Sequence, residues 1–329
     1  MTKDSELRPL KTWSHLAGQR RRPSEYEIVS TNLLWSTDDD TPWALAPEVP
    51  MNKWYMKYRD SSPLKHKDWN AFRDPDELVY RTYNILQDGQ EAYVDGLLDD
   101  HNSNGYDEQL SPEWLEKLAL LYTPGRYLMH GCQMSSAYLV QIAPASTIIN
   151  CALLQTADQL RWVSRIAYRT KELSMVAPEK GFAESERAYW ENHEAWQGFR
   201  ELIERILSTY DWGEHFVALN LVLKPAIDQA FISQLGKLAR KNGDGLLGLL
   251  LDAQSTDSKR SERWTKALVD FILHEDANRK VLNQWLSKWA PIGETAIESY
   301  CFALGGKNQE GLEARKQVEL FQQRMGLGS

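Results

Sequence analysis

Seven histidines and a large set of carboxylates are the side chains in this sequence best equipped to hold a metal or move a proton. A two-iron carboxylate centre in a helical bundle has a simple requirement. Each half supplies one Glu and one Glu-x-x-His pair, because the i, i+3 spacing sets carboxylate and imidazole on one helix face. The residues three positions before His15, His66, His101, His130, His193, His215 and His274 are Thr12, Pro63, Leu98, Tyr127, Trp190, Trp212 and Phe271, and none is a carboxylate. Positions 117 to 157 contain neither Asp nor Glu, a gap of 41 residues across most of two expected helices. An iron site there would lack its oxygen ligands.

Other catalytic patterns are equally thin. His193-Glu194 and Glu214-His215 are adjacent pairs whose members point to different helix faces, which favours surface or salt-bridge roles. Glu186, Glu191, Glu201, Glu204 and Glu214 cluster in the second half and keep open an oxidase with unusual ligands. Gly243, Gly245 and Gly248 match Gly-x-Gly-x-x-Gly, but they follow a helix rather than a strand and fit a helix-to-helix joint. Arg161-Trp162 and Arg263-Trp264 recur 102 residues apart on two expected helices. Taken alone, they are two buried tryptophans beside exposed or paired arginines.

The elements that must position these residues are helices. Asp74-Pro75-Asp76-Glu77 predicts a capped helix start, followed by helical spacing through Leu78, Val79, Leu86, Val94, Leu97 and Leu98 to a stop at Asn104-Gly105. Ser111-Pro112 and Thr123-Pro124 repeat the cap-then-proline start, and Pro144 precedes a periodic run through Leu153, Leu160, Val163 and Ile166. Further helices are expected from Trp196 to Leu207, from Trp212 to Leu238 with a kink at Pro225, and over 244–274, 277–303 and 307–325. The fold expected is an all-α bundle of long antiparallel helices over 74–329, preceded by an extended arm over 1–73. The arm holds six of the 13 prolines and five of the 13 tryptophans, so it must pack on something, either its own helical body or another subunit.

Composition narrows the function. Apolar residues make up 42% of the chain and charged residues 26%, and the net charge is -8. No basic stripe could neutralise a row of phosphates, which argues against nucleic acid. The start MTKDSELRPL lacks a signal-peptide core and no stretch approaches a membrane span of uninterrupted apolar residues, so a cytoplasmic protein is expected. Cys132, Cys151 and Cys301 form no Cys-x-x-Cys pair and are expected as buried small hydrophobes.

Three stretches carry a resemblance: LRPLKTWSHLAGQRRRPSEYEIVSTN (Leu7 to Asn32), SPLKHKDWNAFRDPDELVYRTYNILQDGQEAYV (Ser62 to Val94) and AWQGFRELIERIL (Ala195 to Leu207). Over nearly its whole length the chain resembles the hydroxylase beta subunits of soluble bacterial di-iron monooxygenases of the toluene/o-xylene group. That resemblance implies a ferritin-like fold and a hydroxylase built as a dimer of alpha-beta-gamma protomers. It also implies a di-iron centre in the alpha subunit only, with no cofactor in this chain, and oxygenation of aromatic rings by the assembly. Electrons would come from an NADH reductase through a Rieske ferredoxin, with a small effector protein regulating turnover. The alpha motif Glu-x-Arg-His is then matched by Gln159-Leu160-Arg161-Trp162 and Ser261-Glu262-Arg263-Trp264, so that Gln159, Trp162, Ser261 and Trp264 stand where ligands would be. Candidates for the contact with alpha are the arm residues Trp13, Arg20, Arg21, Arg22, Trp35, Trp43, Trp54, Trp69 and Phe72. A free-standing helical adaptor is the remaining alternative.

Overall fold

A computed structural model describes residues 21–33, 48–305 and 308–327, and among them the only regular elements are helices. The arm residues Trp13, Arg20, Trp35 and Trp43 lie outside the described residues. The helices are α1 (Glu25–Ser30), α2 (Pro50–Tyr55), α3 (Tyr80–Ser103), α4 (Pro112–Leu121), α5 (Gly125–Ile142) and α6 (Ser146–Val176). They continue with α7 (Glu186–Asn192), α8 (Glu194–Leu207), α9 (Trp212–Lys241), α10 (Gly245–Ile272), α11 (Asp276–Gly305) and α12 (Gln309–Arg324).

Helix ends follow from local chemistry. The Ser111 hydroxyl accepts from the Trp114 N–H at 3.2 Å and Pro112 opens α4. Asp211 accepts from the Gly213 and Glu214 N–H groups at the start of α9, and Asp244 accepts from Leu247 at the start of α10. Gly243, at φ +78°, makes the reversal between α9 and α10, so the three spaced glycines do form a joint between helices.

Several expectations need correction. Asp74 caps a tight turn, accepting from the Asp76 and Leu78 N–H groups, and Glu77 takes φ +46°, which ends any helix there; α3 begins only at Tyr80. The Thr123 hydroxyl donates back to the Ala119 carbonyl instead of capping α5. The arm is not simply extended, since α1, α2 and a π-helical turn at Met56–Asp60 lie within it. Pro225 does not interrupt α9. The kink expected there falls in a run that stays helical, with π-helical turns on either side at Val217–Leu223 and Ile227–Gln234, and the Leu221 carbonyl, four residues before the proline, accepts from the Gln322 side-chain amide at 2.9 Å.

The core is built around α9. Every residue from Phe216 to Leu223 is buried, and α5, α8, α10, α11 and α12 enclose this helix, with α6 joined to it where Asn220 donates to the Gln155 side-chain oxygen at 3.1 Å. It is long and apolar enough to cross a membrane, yet 83% of its most apolar window is buried inside the protein, the position of a core helix. The described part of the arm is packed onto the same body. Trp54 donates from its indole to the Tyr138 hydroxyl at 3.1 Å, Trp69 meets Trp212 edge-on at 4.9 Å, and Phe72 is 3% exposed against Phe271. Phe72 therefore offers no surface to another subunit, because its own chain encloses it.

Helix α8 crosses α11 closely at Gly198, where an added Cβ would stand 2.6 Å from the Ala296 Cα. Backbone cannot yield as a side-chain tip can, so Gly198→Ala should lower stability by about 1–3 kcal/mol. Gly96→Ala, with nothing within 4 Å of the new carbon, should raise it by roughly 0.5–1 kcal/mol. Urea denaturation of both variants checks the pair, and equal effects would refute the packing account.

Candidate functional site

Helices α5, α6, α9 and α10 converge on a small cavity of about 20 Å³, space for roughly one water molecule. Gln159 and Trp162 reach it from α6, and Ser261 from α10. Trp264 stands next to it, its indole donating at 3.2 Å to the Gln155 carbonyl oxygen, and Gln155 lines the cavity. Thus the structure brings all four positions singled out in the sequence to one place. From the remaining two helices come Met129 and Cys132 on α5, and Lys224 and Ile227 on α9.

Charges form the frame around this space. Asp158 on α6 and Asp257 on α10 are both buried and share the Gln87 side-chain amide, which donates 3.1 Å bonds to each. Arg260 pairs with both carboxylates, and Arg161 lies 3.3 Å from Asp158 and 3.5 Å from Asp257. The Tyr83 hydroxyl donates to Asp158 at 2.8 Å, and the Trp162 indole donates to Asp257 at 2.9 Å. Burial and the nearby charge of Asp257 push the Asp158 carboxyl up to about 6, against the pull of Arg260. One helical turn along, the Lys224 ammonium donates to Asp228 at 2.6 Å and to Ser258 at 2.8 Å. Asp228 holds this ammonium above the ordinary lysine value although burial opposes it. Burial pushes the Cys132 thiol up to about 12, which leaves it protonated and unreactive.

This donor set does not fit a two-iron centre. Indole has no lone pair for a metal, a glutamine amide and a serine hydroxyl are weak neutral donors, and the side chains that α5 and α9 bring to the cavity, Met129, Cys132, Lys224 and Ile227, include no carboxylate. The three nearby carboxylates are already held by arginine and lysine. Among the described residues no group of three or more His, Cys, Asp or Glu side chains is placed to hold a metal ion.

The five glutamates of the second half do not assemble either. Glu191 pairs with Arg187, Glu201 with Arg205 and Glu204 with Arg200, while Glu214 accepts from Lys288 and the Trp289 indole. Glu186 accepts from the Ala183 N–H. His215 is not at the surface: it is 1% exposed and bridges the Thr209 and Ser135 carbonyls. Arg263 turns outward to Asp76, so the buried arginine opposite Arg161 is Arg260, which the repeated Arg-Trp pair did not reveal. Of the proposed contact residues on the arm, Arg21 pairs with Glu27 and Arg22 is exposed.

Comparison with known proteins places this arrangement. Residues 54–276 match the family model for methane, phenol and alkene hydroxylases. The chain belongs to the methane/phenol/alkene hydroxylase family. Within it, the chain is 52% identical over 294 residues to the hydroxylase component subunit beta of the toluene-4-monooxygenase system of Ectopseudomonas mendocina, covering 89% of this chain and 90% of that protein. It is 24% identical to the phenol 2-monooxygenase oxygenase component DmpL of Pseudomonas sp. strain CF600, across 71% of this chain and 70% of that one. A chain in the solved structure of toluene 4-monooxygenase with toluene bound in its resting active site superposes with a TM-score of 0.86 at 51% identity, covering 91% of this chain and 98% of that chain. The ferritin-like helical fold expected from the sequence is the fold of this hydroxylase relative.

Two outcomes test the site. Lys224→Met leaves Asp228 buried without its cation and should cost about 3–5 kcal/mol, whereas the double variant Lys224→Met/Asp228→Leu should recover most of the loss. Urea melts of both variants decide, and a double variant no more stable than the single one would sink the charge account. The combined variant Gln159→Glu/Trp162→His/Ser261→Glu/Trp264→His should still leave iron well below two atoms per chain by elemental analysis, because the carboxylates nearby are held by arginine and lysine and Lys224 holds the centre.

Proposed function

We propose that this chain is the non-catalytic beta subunit of the hydroxylase component of an aromatic-hydrocarbon monooxygenase of toluene/o-xylene type. In this reading its partner, the alpha subunit, carries the di-iron centre and inserts one oxygen atom from dioxygen into an aromatic ring. The observation that carries the reading is the central cavity, where the four helices of a metal-binding bundle meet over Met129, Gln159, Trp162, Ile227 and Ser261. A family member built on the same frame with such a donor set contributes shape and rigidity. Its helices are tied across the centre by hydrogen-bonded ion pairs, and a stiff body packed on the alpha subunit limits how far the iron ligands there can move.

A gamma subunit and a second alpha-beta-gamma protomer complete the hydroxylase in this proposal. The effector protein, the Rieske ferredoxin and the NADH reductase act on that whole. In this proposal the subunit works in the cytoplasm, beside the NADH that feeds the reductase. Substrate choice belongs to the alpha pocket.

Purification of this chain from cells expressing the full set of components provides the test. It should emerge with a larger chain, all of the iron should follow that larger chain after separation, and toluene oxidation should require both. About two irons bound to this chain by itself would overturn the proposal.

A further inference from the structure

Helix α3 has two apolar faces, and only one is used within the chain. Tyr83, Gln87, Val94 and Leu98 turn inward. On the opposite side Ile85, Gly89, Ala92 and Gly96 follow one another at helical spacing beside Leu86 and Tyr93, and all six are exposed. Ile85 is 64% exposed and Tyr93 48%. A helix with water on one side normally turns polar residues to it.

The glycines sharpen the point. Gly131, Gly198, Gly213 and Gly293 are each pressed beneath a neighbouring side chain or backbone, whereas a Cβ at Gly89 or Gly96 would meet nothing within 4 Å. Each weakens a helix interior relative to alanine without any return inside this chain. Such a pair, seven residues apart, leaves the shallow track along which a second helix can approach closely. Helix α6, alongside, continues the outer surface with Leu153, Leu160, Tyr168 and Met175, between 48% and 64% exposed.

The seam between the two stripes is acidic. Asp88, Asp95 and Asp99 stand exposed on the α6 side of α3. Glu172 first, with Asp99 and Asp95 adding to it, raises the Tyr168 hydroxyl above the ordinary tyrosine value. Glu91 is taken by Arg161 and Arg165, and no lysine or arginine among the described residues pairs with the three aspartates. We infer that the outer face of α3 and α6 docks the larger hydroxylase subunit, through a helix whose apolar stripe lies on Gly89 and Gly96 and whose flanking lysines or arginines enter the Asp88–Asp95–Asp99 seam. This rests on the subunit reading above and adds its surface. The acidic rim disfavours a second copy of this chain, which would bring like charge to the seam.

Co-expression with the larger subunit tests the inference. Gly89→Leu/Gly96→Leu should weaken assembly at least tenfold by surface binding or by yield in co-purification, while the melting temperature of the variant chain stays level or rises. Asp95→Lys/Asp99→Lys should weaken assembly and reduce its salt dependence. Leu312→Ser, in the groove between α11 and α12, should leave assembly unchanged. Binding of both surface variants equal to wild type would overturn the inference and leave the subunit reading intact. So would a wild-type homodimer, seen by sedimentation, that the glycine variant dissolves without loss of binding to the larger chain. A wild-type chain that binds no larger subunit would remove both together.

Discussion

Charge neutrality at the centre of the bundle is the constraint on which the remaining structure depends. Asp158, Asp228 and Asp257 are buried where four helices meet, and a carboxylate taken out of water there costs several kcal/mol unless a cation and hydrogen bonds compensate it. Arg161, Arg260 and Lys224 provide the cations from within the chain. Each ties one helix to another or fixes a turn: Arg260 of α10 reaches Asp158 of α6, and Lys224 of α9 reaches Ser258 of α10. Gln87 brings α3 into the same set by bonding both carboxylates. The helices are therefore held at their centre by directional contacts, with the apolar packing of α9 around them.

The two tryptophans make sense within that frame. Trp162 fills space and also donates to Asp257, so the residue at an expected imidazole position serves the carboxylate that opposes it. Trp264 does the same for Gln155, which is further bonded to Asn220 and Ser136. The polar groups that remain in the centre are amides, hydroxyls and paired ions, most of them bonded to one another, whereas the Gln159 amide at the cavity bonds to none of them.

Most of the fold was legible in the sequence because its signals were local. Ser111-Pro112, Asn242-Gly243 and the periodic runs of α6 and α10 declare themselves within a few residues. The failures share a cause. Asp74 has the chemistry of a cap, but it serves a turn stabilised by Tyr26, whose hydroxyl accepts from the Asp74 N–H across 48 residues. The central site was half legible. The resemblance to the alpha motif Glu-x-Arg-His led to Gln159, Trp162, Ser261 and Trp264, yet Lys224 and Asp228 look in sequence like an ordinary i, i+4 surface pair. Only the packing of Ser258 against them reveals that they are internal.

Lys224 has a consequence of another kind. A cation carried on a side chain has no dissociation rate, takes no electrons and is not removed by chelators. The centre of this bundle is complete as soon as the chain has folded, whatever the supply of metal at that moment. On the proposed assignment to a hydroxylase, such a scaffold is made first and waits for a partner whose own centre must still be loaded, which separates the timing of assembly from the timing of iron delivery.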